Sequence, residues 1–117
     1  MGQRVLIVDD HAGFRASARR MLECEGYEVV GEAPDGASAI AAARELRPDL
    51  VLLDVQLPDR DGFAVARDLT ANCVRPTVIM ISSREAADYG PLAVQSGARG
   101  FITKAELSRA TMEALIA

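Results

Sequence analysis

Four short apolar runs in this chain each end on a residue that can do chemistry. Arg4–Val8 is followed by Asp9 and Asp10, Leu50–Leu53 by Asp54, Thr77–Ile81 by Ser82, and Arg99–Thr103 by Lys104. Taken singly, each exit is what any buried strand shows on leaving the core, where polar residues mark the turn. Taken together they supply three carboxylates, one hydroxyl and one ammonium. In open parallel α/β sheets the functional crevice lies at the carboxyl ends of the strands, so these groups share one edge. Three carboxylates held close repel one another, and a hard divalent cation removes the conflict. Mg²⁺ prefers oxygen ligands, keeps several waters and is often shared with a phosphate. A carboxylate can also accept a phosphoryl group covalently. Such a transfer needs mainly positioning and charge neutralisation, which a metal and a lysine provide. The Ser82 hydroxyl can donate to a phosphoryl oxygen. The residues point to a metal-assisted phosphoryl site.

The elements that must position these groups are readable from periodicity. A helix is predicted over His11–Glu25, with Phe14, Ala18, Met21 and Leu22 on one stripe and Gly26 as its stop. Tyr27–Glu32 reads as a weaker strand near a sheet edge, because its alternation is half polar. Asp35–Arg47 is a second helix carrying Ala39, Ile40, Ala43 and Leu46, ended by Pro48. Leu50–Leu53 is the most apolar strand, hence the most central. Leu57-Pro58 and Asp59–Gly62 form a turn-rich loop before a helix over Phe63–Ala71. Asp59 and Asp61 read as loop and helix-start residues rather than metal ligands. Gly90-Pro91 interrupts the next stretch, so a short helix is expected from near Pro91, capped by Gly97. A final helix is expected to turn Leu107, Ala110, Thr111, Ala114 and Leu115 inward. Five rounds of strand then helix predict an α/β fold with a parallel sheet covered on both faces. Right-handed crossovers leave few topologies, and periodicity does not give the strand order.

Bulk properties bound the function. The chain has 117 residues, room for one domain, taken as residues 1–117. Half of it is apolar and 26% is charged, with a net charge of −4. No basic patch stands out, so direct nucleic-acid binding by this domain is not expected. No apolar run approaches the roughly 18 residues of a membrane span. No signal-peptide core precedes the first strand, and the chain reads as cytoplasmic and not membrane-associated. Cys24 and Cys73 lack metal-ligand spacing and read as free thiols. The final helix closes at Ala117 without a linker, which favours a stand-alone protein.

The sequence resembles the receiver domains of bacterial two-component response regulators over essentially its whole length. The matching pieces are VLIVDD (Val5–Asp10), LVLLDVQLPDRDGF (Leu50–Phe63), VIMISS (Val78–Ser83) and GARGFITK (Gly97–Lys104). The separations match as well, 28 residues from Asp54 to Ser82 and 22 from Ser82 to Lys104. The resemblance implies a flavodoxin-like three-layer (βα)5 sandwich with strand order 2-1-3-4-5. It implies Asp54 as phosphoacceptor, with a sensor histidine kinase, a phosphotransfer protein or a small phosphodonor as the source, and a downstream output partner or domain. It implies Mg²⁺ held by Asp9, Asp10, Asp54 and the backbone carbonyl of Gln56, with Asp10 the more direct ligand of the acidic pair. Lys104 is implied as the partner of the acceptor carboxylate and then of the phosphoryl group. Ser82 is implied as the switch hydroxyl and Phe101 as the switch aromatic, although a phenylalanine on an edge strand is by itself ordinary core packing. Gln56 and Arg84 are implied to flank the phosphoryl group. Glutamine can orient a water there, and Arg84 either shields the phosphoryl oxygens or lies in solvent.

Two departures from the family pattern stand out. Many members have proline after the lysine, joined by a cis bond, where this chain has Ala105. A cis bond before a non-proline costs about 2.5–4 kcal/mol, which leaves that loop's geometry open. Alanine there, Asp-Asp-His and Gly-Ala-Arg-Gly-Phe are similar to receivers joined to helix-turn-helix output domains. The second departure is the Gly90-Pro91 break. His11, a lone histidine at a helix start, reads as solvated rather than as ligand or phosphodonor. Two other functions fit the fold class. A phosphatase with an aspartyl-phosphate intermediate, of the haloacid dehalogenase type, wants Asp-x-Asp, whereas the chain has Asp54-Val55-Gln56. A nucleotide or flavin module wants a glycine-rich phosphate loop, and neither G-x-x-x-x-G-K-[ST] nor G-x-G-x-x-G is present.

Overall fold

The computed structural model describes residues 3–71, 76–84 and 86–116. Cys73, read above as a free thiol, lies outside them, and Cys24 is free and exposed. Five strands alternate with five helices: β1 (Arg4–Val8), α1 (Ala12–Cys24), β2 (Glu28–Ala33), α2 (Gly36–Leu46), β3 (Leu50–Asp54), α3 (Gly62–Thr70), β4 (Thr77–Ser82), α4 (Tyr89–Gln95), β5 (Gly100–Thr103) and α5 (Arg109–Ile116). All strand pairs are parallel, and the sheet order is β2-β1-β3-β4-β5. The weakly apolar β2 is an edge and the fully buried β3 is central, as their patterns require.

Alternation along the strands builds two cores. Leu6, Val8, Val51, Leu53, Val78 and Met80 face α2, α3 and α4 through Ala39, Phe63, Val65, Ala66, Leu69 and Ala93. Val5, Ile7, Leu50, Leu52, Ile79 and Ile81 face α1 and α5 through Ala18, Leu22 and Met112. No described helix is long and apolar enough to cross a membrane.

The element ends show local rules at work. Arg47, at φ 48°, closes α2 in the left-handed region just before Pro48. Gly97, at φ 94°, closes α4 with its neighbour's N–H reaching back to Ala93 O. Helix α4 begins at Tyr89, two residues earlier than expected, and Pro91 still falls in the first turn, where its missing N–H is no loss. In the last helix region Leu107 and Leu115 pack against the core as expected, but the rest of the expected stripe is corrected. Met112 is fully buried, whereas Ala110 and Ala114 are exposed. Ser108 and Thr111 cap each other at its start, Thr111 N–H donating to Ser108 Oγ and Ser108 N–H to Thr111 Oγ1.

Candidate functional site

Parallel register brings the strand ends together. Val8 pairs with Leu53, so Asp9 and Asp54 leave neighbouring strands side by side. Ile81 pairs with Asp54 and Ser82 with Thr103, which places Ser82 and Lys104 at the same edge. Lys104 opens a short 3-10 turn, Lys104–Glu106, that directly follows β5. The described peptide bonds, Lys104–Ala105 among them, are all trans.

Asp9 is fully buried. Its Oδ1 accepts the His11 backbone N–H at 2.8 Å. Its Oδ2 lies 2.5 Å from Lys104 Nζ as an ion pair, yet among the described residues it accepts no hydrogen bond of acceptable angle. Asp54 is 5% exposed. Its Oδ1 accepts the Gln56 N–H at 3.2 Å, and its Oδ2 lies 3.4 Å from Lys104 Nζ. Burial pushes the Asp54 carboxyl up to about 6, against the opposing pull of the Gln56 N–H and the Lys104 charge. Asp10 is more open, with 38% of its side chain exposed. Carboxylate oxygens of Asp9, Asp10 and Asp54 and a ring nitrogen of His11 all lie within 4.8 Å of one another. Oxygen-rich donors around a buried carboxylate oxygen without a hydrogen bond fit a hard divalent cation. The three acids and Lys104 are thus gathered as the sequence reading expected.

Ser82 is buried, and its Oγ accepts the Arg84 N–H at 3.1 Å. Phe101 is half-buried and meets Tyr89 edge-on at 5.3 Å, and Tyr89 in turn meets Phe63 at 5.9 Å. Gln56 is exposed and bridges to Asp61 across the loop, and Arg84 is exposed. Asp61 N-caps α3 by accepting from Phe63 N–H at 2.9 Å. Asp59 reaches across to α2, accepting from Gly36 N–H at 2.8 Å and Ala37 N–H at 3.0 Å. Those two bonds hold its carboxyl below the usual range. Both acids do loop and helix-start work, as read from the sequence, and the second ties the loop after Asp54 to a neighbouring helix.

Some contributors were not singled out beforehand. Arg15 donates from a terminal nitrogen to the Asp9 carbonyl at 2.6 Å and from Nε to Glu32 at 3.1 Å, bracing the end of β1. Phe14 packs against the core as read, and its ring also lies under the Lys104 ammonium, 4.5 Å from its centroid. Tyr89 carried no signal beyond its position at the start of α4. His11, read as solvated, is indeed 71% exposed, yet its Nδ1 sits 3.0 Å from Asp10 Oδ1.

Comparison with known proteins agrees with this geometry. The model of the response regulator receiver domain matches residues 5–116. The transcriptional regulatory protein PdtaR of Mycobacterium tuberculosis is 38% identical over 102 residues, 87% of this chain and 49% of that protein. The chemotaxis protein CheY of Bacillus subtilis is 35% identical over 115 residues, 98% of this chain and 96% of that one. The signal receiver domain of the response regulator NarL from Mycobacterium tuberculosis matches with a TM-score of 0.88 at 34% identity, covering 99% of this chain and 98% of that one. The chain spans about half the length of the first curated relatives it matches. A buried aspartate on the central strand, flanked by an acidic pair and a lysine on a (βα)5 sheet, and a family match along nearly the whole chain lead to one assignment: this chain belongs to the response regulator receiver domains of two-component systems.

Proposed function

We propose that residues 1–117 act as a phosphorylation-dependent switch in which Asp54 accepts a phosphoryl group from a sensor histidine kinase, a phosphotransfer protein or a small phosphodonor. Members of this family are signalling switches rather than conventional enzymes. The observation that carries the proposal is the setting of Asp54. It is buried at the end of the central strand, 3.4 Å from the Lys104 ammonium, in a cluster with two further acids. In the transfer an Asp54 carboxylate oxygen bonds to phosphorus as the bond from phosphorus to the donor breaks, and that electron pair leaves with the donor. Lys104 is free to move from Asp9 and Asp54 onto the incoming oxygens, where a cation is worth most in a partly dry site. Asp9, Asp10, Asp54 and the Gln56 carbonyl are the residues that would hold Mg²⁺, which when bound neutralises charge on the carboxylates and on the transferred group. Gln56 and Arg84 flank the phosphoryl group in this reading, the first orienting water and the second shielding oxygens.

Incubation with acetyl phosphate and Mg²⁺ should add one phosphoryl group to the wild type and none to Asp54→Asn, read by intact mass. Chelating the metal should suppress the gain. An equal gain in both proteins would sink the assignment of Asp54.

The readout proposed for the switch runs through Ser82 and Phe101. When the Ser82 hydroxyl leaves the Arg84 N–H for a phosphoryl oxygen, it vacates volume beside β5 that the Phe101 ring can enter. Packed interiors favour two discrete arrangements over gradual deformation. Because Phe101 leans on Tyr89, the ring's departure would release α4 at its first residue. Saturating the site with the phosphoryl mimic beryllofluoride should therefore change the ring resonances of Phe101 and Tyr89 together. Unchanged rings under saturation would remove the switch role and leave the phosphorylation chemistry standing.

A further inference from the structure

We propose that His11 supplies an imidazole nitrogen to the cation held by the carboxylate cluster, so that the site takes borderline first-row ions such as Co²⁺ more tightly than a carboxylate-only site would. This rests on the reading above that Asp9, Asp10 and Asp54 bind a divalent cation. His11 is the residue that begins α1, yet its side chain makes no capping hydrogen bond to the helix. Its ring is turned instead toward the acids. The backbone holds it there, since the His11 N–H donates to Asp9 Oδ1 at 2.8 Å.

The spacing is that of ligands around one ion. His11 Nδ1 lies 3.0 Å from Asp10 Oδ1 and 3.2 Å from Asp9 Oδ1. In an octahedron with bonds of about 2.1 Å, neighbouring ligand atoms stand about 3 Å apart and opposite ones about 4.2 Å. The four donor atoms all fall within 4.8 Å of one another. Within the cluster, Asp9 Oδ2 is fully buried at the edge, where it faces the Lys104 ammonium as an ion pair and accepts no hydrogen bond of acceptable angle among the described residues, so it still has lone-pair capacity for a cation. The ring is open to solvent on its far side, so it can turn by a few degrees to meet an ion without disturbing the core.

Chemistry then sets the preference. Carboxylates and water suit Mg²⁺, whereas imidazole favours Co²⁺, Ni²⁺ and Zn²⁺. A simpler role for the ring is a hydrogen bond from Nδ1 to Asp9 Oδ1, at 3.2 Å. That role needs a proton on Nδ1, whereas ligation needs its lone pair, so the two are exclusive.

Calorimetric titrations of the full chain at one fixed pH with Mg²⁺ and with Co²⁺ would decide between them. They should compare wild type, His11→Ala, His11→Gln and Asp10→Asn. Ligation by His11 predicts that His11→Ala and His11→Gln both lose at least about tenfold in Co²⁺ affinity while Mg²⁺ affinity changes by less than about twofold. The chain's one histidine makes its imidazole resonances an unambiguous reporter, and Co²⁺ should shift them directly. Mg²⁺ binding that depends on Asp10, with Co²⁺ affinity and imidazole resonances indifferent to His11, would overturn this inference and leave the carboxylate site intact. A glutamine that restores Co²⁺ affinity, by keeping only the hydrogen bond, would overturn it too. Absence of Mg²⁺ binding to the wild type, or binding untouched by Asp10→Asn, would remove the underlying site and this inference with it.

Discussion

Asp54→Asn is expected to raise the unfolding free energy of the metal-free chain by about 1–3 kcal/mol at pH 7, even as it removes the proposed phosphoacceptor. The carboxyl is nearly buried, and burial pushes it from 3.8 up to about 6 in the folded chain. A folded-state value above the unfolded one means that the fold binds the proton more tightly than the open chain does. Above pH 6 both states are ionised and the penalty of holding a buried charge is complete. As the pH falls through 6 the folded state takes up the proton first, and the penalty shrinks until it is gone below 3.8. The interval between those values is worth about 3 kcal/mol, the upper end of the range. The lower end allows for the weakened attraction to Lys104, which would then face Asp9 without a second acid partner. Asparagine keeps an oxygen for the Gln56 N–H. Urea midpoints at pH 7 and pH 4.5 check this, with the gap between variant and wild type narrowing at the lower pH. A variant less stable than wild type at pH 7, or a gap independent of pH, would contradict the account. A residue that destabilises the fold where the chemistry lies is what a functional site leads one to expect.

The same contrast explains what was legible in the sequence. Asp9, Asp54, Ser82 and Lys104 were readable because each terminates an apolar run, and a parallel sheet sends all such ends to one edge. That inference needs only strand polarity. The central place of β3 followed from four consecutive apolar residues, and the edge place of β2 from its mixed pattern. Strand order was different. Periodicity is silent on it, and 2-1-3-4-5 came from resemblance to receivers, which the sheet bears out.

What escaped the sequence depends on side-chain direction. His11, Phe14 and Arg15 sit in or beside the first turn of α1, and helical spacing alone says only which of them share a stripe. That Phe14, besides packing against the core, also lies under an ammonium depends on where a lysine ninety positions later comes to rest. Arg15 on a helix reads as solvated until its carbonyl partner at Asp9 is placed. Tyr89 touches both Phe63 and Phe101 from the first residue of α4, which starts before Gly90-Pro91 rather than after it, a placement that no period reveals. Met112 was missed because the expected stripe took Ala110 and Ala114 in its place, whereas Met112 shares the buried side with Leu115 and Ile116.

Gly62→Ala is expected to be the most damaging small substitution, with a loss on the order of 3 kcal/mol or more. A Cβ at Gly62 would stand 2.1 Å from the Asp54 carbonyl oxygen and 2.7 Å from that of Val55. Both obstacles are backbone, so no rotamer change can relieve them. The Gly62 N–H also donates to Val55 O at 2.8 Å, which locks the start of α3 against the end of β3. Relief would require either α3 to lift from the sheet, taking Phe63 and Val65 out of the core, or the Asp54–Gln56 segment to tilt. The second movement displaces the Asp54 carboxylate from Lys104 and carries the Gln56 carbonyl with it. Gly13→Ala serves as the control, because a Cβ there meets nothing within 4 Å on an exposed position of α1. That change should instead stabilise by about 0.5 kcal/mol through backbone entropy. Denaturant unfolding of the two variants should separate them in sign. Whatever fraction of Gly62→Ala remains folded should accept phosphoryl from acetyl phosphate more slowly than wild type, since the loop that follows Asp54 is displaced. A Gly62→Ala protein with wild-type stability and wild-type phosphorylation rate would show that the close approach of α3 to the strand end is not what holds the acceptor in place.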